Sequence, residues 1–245
     1  MISVIIPAYN ASRYLAQAIE SVRAQEDVAV EMVVVDDGST DDTAAVARAA
    51  GPDIRVISKP NGGAATARNA GIAASTADLI AFLDADDLWP EGQLARLAHR
   101  LANEPAILMA IGRTQLVRED GENGTGHGLV HVGAPWHAPV FGSGLFRRQV
   151  FTAVGLMDPS LQPAEDLDWF IRARERAVPT LVVDEVTLCY RWHGANLTSG
   201  ADPIRRRMLV ALKRSLDRRR QGGDGPASRV RGLQWLPSAD AVSPS

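Results

Sequence analysis

The sequence predicts an α/β fold built on a mostly parallel sheet with helices on both faces. Three observations predict it. Short apolar runs alternate with helical stretches through the first hundred residues, the pattern left by strand–helix–strand units. The runs at residues 3–6 and 31–35 are continuous and β-branched rather than alternating, so their strands are buried on both faces. Polar residues collect where the runs end, which is where ligands bind in open parallel sheets.

Taken in order, residues 3–6, 31–35, 54–57 and 79–83 read as strands, with helices at 13–25, 41–50, 64–74 and 91–102. Past residue 104 the alternation weakens. Residues 106–112 are a candidate fifth strand. Residues 118–128 are polar and rich in glycine, with little to bury, and are expected to form a mobile loop. Residues 167–176 read as a helix entered through the acidic pair Glu165-Asp166, and 178–184 and 186–192 as two strands. Residues 203–220 form a helix with a narrow apolar stripe of Ile204, Met208, Leu212 and Leu216. From about residue 222 Gly, Pro, Ser and Asp dominate, and disorder is expected. There is no internal repeat.

Composition excludes several classes. With 245 residues, 46% apolar and 22% charged, the chain is no disordered polymer, collagen or small disulfide scaffold. Its single cysteine, Cys189, cannot form an intramolecular disulfide, so a reducing compartment and a cytoplasmic location are expected. No run approaches the ~18 apolar residues of a membrane span. The start, Met1 to Pro7, lacks a basic segment, so no signal peptide is expected. The net charge of −3 hides an asymmetry: residues 205–231 carry ten basic and two acidic side chains, a local +8 that leaves −11 elsewhere. Such a tail suits an anionic partner or a solvated helix face.

The chemistry sits at three strand ends: Pro7-Ala8-Tyr9-Asn10, Asp36-Asp37-Gly38-Ser39 and Asp84-Ala85-Asp86-Asp87. A rim this acidic needs a cation or a polar ligand. Two carboxylates one residue apart past a strand end can hold a hard divalent cation together with diphosphate oxygens. Alone, Asp-x-Asp is more often a turn before a helix; its place beside a second acidic strand end reverses that. In Asp36-Asp37, one carboxylate is suited to accept a nucleobase N–H, with Tyr9 as a flat platform for the base. The competing reading is a turn in which Ser39 or Asp41 caps the next helix. Asn61-Gly62-Gly63 before a helix looks like a phosphate cradle or a tight turn, and Arg68, one turn on, can reach a base or a phosphate. Trp136, His137 and Phe141 line an acceptor groove or belong to the core. His127, His131 and His137 have no metal-ligand spacing.

Four ordered motifs then resemble the family 2 glycosyltransferases: V-I-I-P-A-Y-N, V-V-V-D-D-G-S-T-D-D-T, N-G-G-x-x-x-A-R-N and F-L-D-A-D-D. The resemblance continues through residues 142–148, Val154 to Asp158, Glu165-Asp166 and Tyr190-Arg191-Trp192-His193 with Asn196 and Ser199, and covers about residues 1–200. It implies the GT-A fold, a Rossmann-like, mostly parallel sheet with a continuous acceptor-binding half. The division implied is 1–103 for the nucleotide sugar and 104–200 for the acceptor; outside the resemblance, pattern and composition add a basic helix at 201–221 and a disordered tail at 222–245. It also implies that Pro7, Ala8, Tyr9, Asn10, Asp37, Gly38, Arg68, Asp84 and Ala85 bind the nucleotide sugar. Asp86 would be the metal ligand and Asp166 the general base; His193 approaches the metal or the diphosphate from the closing segment or is a loop histidine hydrogen-bonded to backbone. The cofactor implied is a divalent metal, Mn2+ or Mg2+.

The reading is therefore an inverting, metal-dependent glycosyltransferase moving a sugar from a nucleotide sugar, with a UDP-sugar preferred, to a saccharide, lipid-linked or other hydroxyl acceptor. No nucleic-acid partner is expected. A sugar-nucleotide nucleotidyltransferase is the alternative, but it wants a basic glycine loop where Tyr9-Asn10-Ala11-Ser12-Arg13 stands. A non-catalytic sugar-nucleotide-binding protein is the third reading, and the presence of both Asp86 and Asp166 speaks against it. The basic helix either touches an anionic membrane face or packs on the domain; the second is favoured because it has few apolar residues and neither Trp nor Phe.

Overall fold

The computed structural model describes residues 1–120, 128–193 and 201–221, without the side chains of 201–207 and 221. The expectations for 121–127 (with His127), for Asn196 and Ser199, for the Ile204 side chain and for the tail from 222 lie outside the described residues.

Strands β1 (Ile2–Ala8), β2 (Val30–Asp36), β3 (Ile54–Ser58) and β4 (Leu79–Phe82) pair in parallel around β1. Helices α1 (Leu15–Arg23), α2 (Thr43–Ala49) and α3 (Ala64–Ala74) connect them, and α4 (Gln93–Asn103) leads into the second half. The continuous apolar strands are buried on both faces, as their composition requires. Val4, Ile6 and Val34 join one core with α1 and α4, while Ile5, Val33 and Val35 join another with α3. Helix α3 comes unusually close to β1. A Cβ on Gly71 would stand 2.3 Å from Ile5 Cγ2, so only glycine permits the approach.

The second half adds β5 (Met109–Glu119), β6 (Leu129–Trp136), β7 (Gly144–Arg147), α5 (Gln149–Val154), α6 (Glu165–Glu175) and β8 (Thr180–Arg191). The sheet order is β3-β2-β1-β4-β7-β5-β6, with β8 on β5. Three boundaries differ from the sequence reading. The fifth strand runs on to Glu119, so Arg118 and Glu119 belong to it and not to a loop. The two expected strands at 178–184 and 186–192 are one, whose pairing with β5 shifts register between Ile111 and Thr114. Strands β6 and β7 and helix α5 were not expected. Strand β6 is an edge strand with Leu129 and Val130 exposed, so no core-facing alternation marks it.

Phe141 settles into an aromatic core with Phe82, Phe146, Trp169 and Phe170, which excludes it from an acceptor groove. Arg148 donates to the carbonyls of Ala77 and Ile72, and Arg147 to that of Leu101. Each cation thereby meets carbonyls at the C-terminal end of α3 or α4.

Helix α7 (Ala201–Gln221) packs against α6. Among its described side chains Ala211 and Ser215 are buried, Met208 and Leu212 of the expected stripe are half-buried, and Leu216 is 47% exposed. Polar contacts set this rotation. Ser215 Oγ donates to Glu175 at 2.5 Å, Arg218 bridges Glu175 and Asp168, and Arg214 pairs with Asp158. Among the described residues no helix is long and apolar enough to cross a membrane.

Candidate active site

The end of β1 supplies the first wall. Pro7 and Ala8 are buried, and Tyr9 stands out from the rim, 51% exposed. Asn10 takes a positive φ of 49°, which asparagine tolerates better than most residues. Its Oδ1 accepts from Thr40 N at 2.8 Å, and its N–H donates to Ser39 Oγ at 3.0 Å. Asn10 thus ties the β1 end to the β2 end.

At the end of β2, Asp37 is 2% exposed. Its carboxylate accepts from the N–H groups of Gly62 at 3.1 Å and Gly63 at 2.6 Å, and pairs with Lys59. The glycine loop is therefore a cradle for Asp37. The next two amides, of Ala64 and Ala65, face the Gln162 side chain, whose oxygen in the proper amide orientation accepts from them at 2.6 and 3.0 Å. Gly38 has φ +75°, and a Cβ there would stand 2.7 Å from Asn61 N. Asp36 accepts from Ser39 N at 3.0 Å and Asp41 from Thr43 N at 3.0 Å, so the turn reading of this segment holds alongside any role in binding.

Past β4, Ala85 is buried, Asp84 and Asp86 reach solvent in part, and Asp87 is buried. The closing end of β8 locks this loop. Arg191 N–H donates to Asp87 Oδ1 at 2.8 Å, and Arg191 Nε to the Asp86 carbonyl at 2.9 Å. Its Nη2 donates to Gln17 at 2.6 Å, and its guanidinium lies 4.9 Å over the Tyr14 ring. Two residues on, His193 stacks on Tyr14 and brings Nε2 to 3.0 Å from Asp86 Oδ2. Burial, with Asp86 and Asp84 adding to it, holds the Asp87 carboxyl well above the usual carboxylate range.

The third wall is the start of α6. Asp166 is brought to the donor side by Arg68. One arm of that guanidinium, Nη2, meets Asp84 Oδ1 at 2.7 Å. The other, Nη1, meets Glu165 Oε1 at 3.0 Å and Asp166 Oδ1 at 3.1 Å. Asp166 Oδ2 accepts from Phe141 N at 3.3 Å. Arg68 is 4% exposed, so it lies beneath the rim on three carboxylates rather than open to a ligand. Lost solvation pushes the Asp166 carboxyl up to about 7; Arg68 pulls against this, while Glu165 and Asp84 add to it.

Arg68 thus ties Asp84 to Asp166, and His193 stands on Asp86, so these groups gather beyond the end of β4. Sequence reasoning missed Lys59 on Asp37 and the part of Arg191 in holding the Asp86 backbone. The signal for Arg191 was its place two residues before His193. Asp86 supplies a hard carboxylate oxygen and His193 an imidazole nitrogen, a pair that fits a divalent cation completed by diphosphate oxygens and water. Among the described residues no group of three or more His, Cys, Asp and Glu gathers to hold a metal alone.

Open, mostly parallel sheets bind ligands at such strand ends. Residues 3–152 match the family model described as glycosyl transferase family 2, and the chain belongs to that family. It is 35% identical over 217 residues to an uncharacterized glycosyltransferase of Nostoc sp., covering 80% of this chain and 66% of that one. Its fold is GT-A. It matches Staphylococcus aureus TarS in complex with UDP-GlcNAc at TM-score 0.66 and 20% identity, covering 86% of this chain and 65% of that one. It also matches glucosyl-3-phosphoglycerate synthase of Mycobacterium tuberculosis, in complex with Mn2+, UDP-glucose and phosphoglyceric acid, at TM-score 0.65 and 20% identity, covering 89% and 80%.

Proposed function

We propose that the cleft transfers a sugar from a nucleoside diphosphate sugar to an acceptor hydroxyl with inversion, and that Asp166 is the general base. The observation that carries this reading is the single guanidinium of Arg68 joining Asp84 on the donor side to Asp166 on the other, beside the Asp86–His193 pair. Two similar structures hold UDP-sugars, which supports a UDP-sugar donor here. One of them also holds Mn2+, which supports a divalent metal.

Each residue has a physical task. Tyr9 offers its ring to the base. Pro7, Ala8, Asn10 and Gly38 shape the wall around it, and Asp37, buried and engaged by Lys59 and the Gly62 and Gly63 amides, holds the glycine loop beneath that wall. Asp84 and Ala85 border the ribose. Asp86 and His193 would hold the cation, which when bound offsets charge on the leaving diphosphate. A sugar hydroxyl is a poor nucleophile at neutral pH. Asp166 takes its proton as the hydroxyl oxygen forms its bond to the anomeric carbon. The bond from that carbon to the diphosphate oxygen breaks, and its electron pair leaves with the nucleoside diphosphate. Attack and departure on opposite faces invert the centre.

The acceptor is a saccharide, lipid-linked or other hydroxyl compound. The packing of α7 on α6, with Arg214 and Arg218 paired to acids of the domain, supports a basic helix seated on the domain. A panel of nucleotide sugars tested for thermal stabilisation with and without Mn2+ checks the reading. A bound donor at ~100 times Kd adds roughly 2.7 kcal/mol. Stabilisation by UDP-sugars only with the metal is expected, and no response to any member of the panel contradicts it.

A further inference from the structure

Arg68 is a buried cation between the end of β4 and the start of α6. It is 4% exposed and faces three carboxylates from two sides of the cleft: Asp84 past β4, and Glu165 and Asp166 at the start of α6. One cation therefore serves three acids. The shortage is visible in the hydrogen bonding. Glu165 Oε2 is buried without a partner among the described residues, and so is Arg68 Nε. The two arms of the guanidinium divide the work, Nη2 to the donor side and Nη1 to the acceptor side. A planar fork can do this, whereas a lysine ammonium on a flexible stem is a point charge.

Resting on the reading of Asp166 as the base, we propose that Arg68 is a positioning residue that couples the two halves of the site: it aims Asp166 and sets how readily it ionises, according to how strongly Asp84 claims the same guanidinium. The groups facing Asp166 are few. From α3 comes Arg68, which favours its charge. From beyond β4 comes Asp84 and from its own helix Glu165, which oppose it; from the turn before β7 comes the neutral Phe141 amide. When Asp84 is engaged by a donor, its claim on Arg68 weakens and the guanidinium charge returns to Asp166. The base then ionises when the nucleotide is present, and the empty site keeps its proton.

The test is direct titration of the Asp166 carboxyl by carbon-13 NMR on the full chain, with the signal identified by its loss in Asp166→Asn. Glu165→Gln removes one competitor and lowers the Asp166 midpoint by about one pH unit, and Asp84→Asn does the same. In an Arg68→Lys background the effect of Asp84→Asn is reduced to the direct repulsion alone, because the single ammonium no longer spans both sides. A midpoint unmoved by Glu165→Gln and Asp84→Asn overturns the proposal, as does an equal effect of Asp84→Asn in both backgrounds, which would be direct repulsion. The titration uses no substrate, so it stands apart from the transferase reading. That reading fails instead if UDP with Mn2+ does not bind or if Asp166→Asn retains normal turnover.

Discussion

His193 Nε2 lies 3.0 Å from Asp86 Oδ2, joining the closing segment to the donor loop across 107 positions of sequence. The Tyr14 ring beneath the imidazole, 4.7 Å between centroids, fixes its orientation. On the proposed reading this pair would hold the cation. His193→Ala is expected to weaken Mn2+-dependent UDP binding by about tenfold to a hundredfold, measured by calorimetry. Unchanged affinity would return His193 to a hydrogen-bonding role.

Asp166→Asn is expected to keep nucleotide-sugar binding and to lose turnover by roughly 10²–10⁴-fold. Its raised midpoint near 7 also makes two pH effects of opposite sign. kcat/KM, which reports the free enzyme, rises as pH climbs through 7, because the carboxylate is the base. Stability falls over the window from about 4, where the unfolded carboxyl ionises, to about 7. Across it the folded state holds a proton that the unfolded chain has released. Denaturant unfolding at several pH values should show that slope in the wild type and lose it in Asp166→Asn.

Tyr9→Ala is expected to weaken UDP binding by about 1 kcal/mol through lost stacking on the base. The side chain is half exposed at the rim, so stability should stay within about 0.5 kcal/mol of wild type. Equal UDP affinities in the two proteins would remove the platform from the account.

Arg218→Ala is expected to destabilise the chain by about 1–3 kcal/mol. It strips a partner from Asp168 and Glu175 on the α6 face that α7 covers. Urea unfolding measures this, with Leu216→Ala, on the exposed side of the same helix, expected to change little. The reverse order would mean that the apolar stripe, and not the polar seam, seats α7.

The α/β half was legible because strands such as Val33, Val34 and Val35 are buried on both faces and leave continuous apolar runs. The donor rim was legible because the polar residues sit where those runs stop. The rest was hidden for physical reasons. Strand β6 carries its Leu129 and Val130 to solvent at an edge, so its pattern does not distinguish it from a loop. Helix α7 buries an alanine and a serine because Arg218 and Arg214 find acids on the domain, which no hydrophobic periodicity records. The fate of Arg68 was hidden as well. Its position one turn into α3 was plain, but its partners lie 16, 97 and 98 residues away.

The most direct test of the account is calorimetric titration of UDP, with and without Mn2+, into the wild type, Asp86→Asn and Asp166→Asn. The account predicts metal-dependent binding in the wild type, its loss in Asp86→Asn with the fold intact, and its retention in Asp166→Asn. UDP binding to Asp86→Asn at the wild-type affinity in the presence of Mn2+ would contradict it.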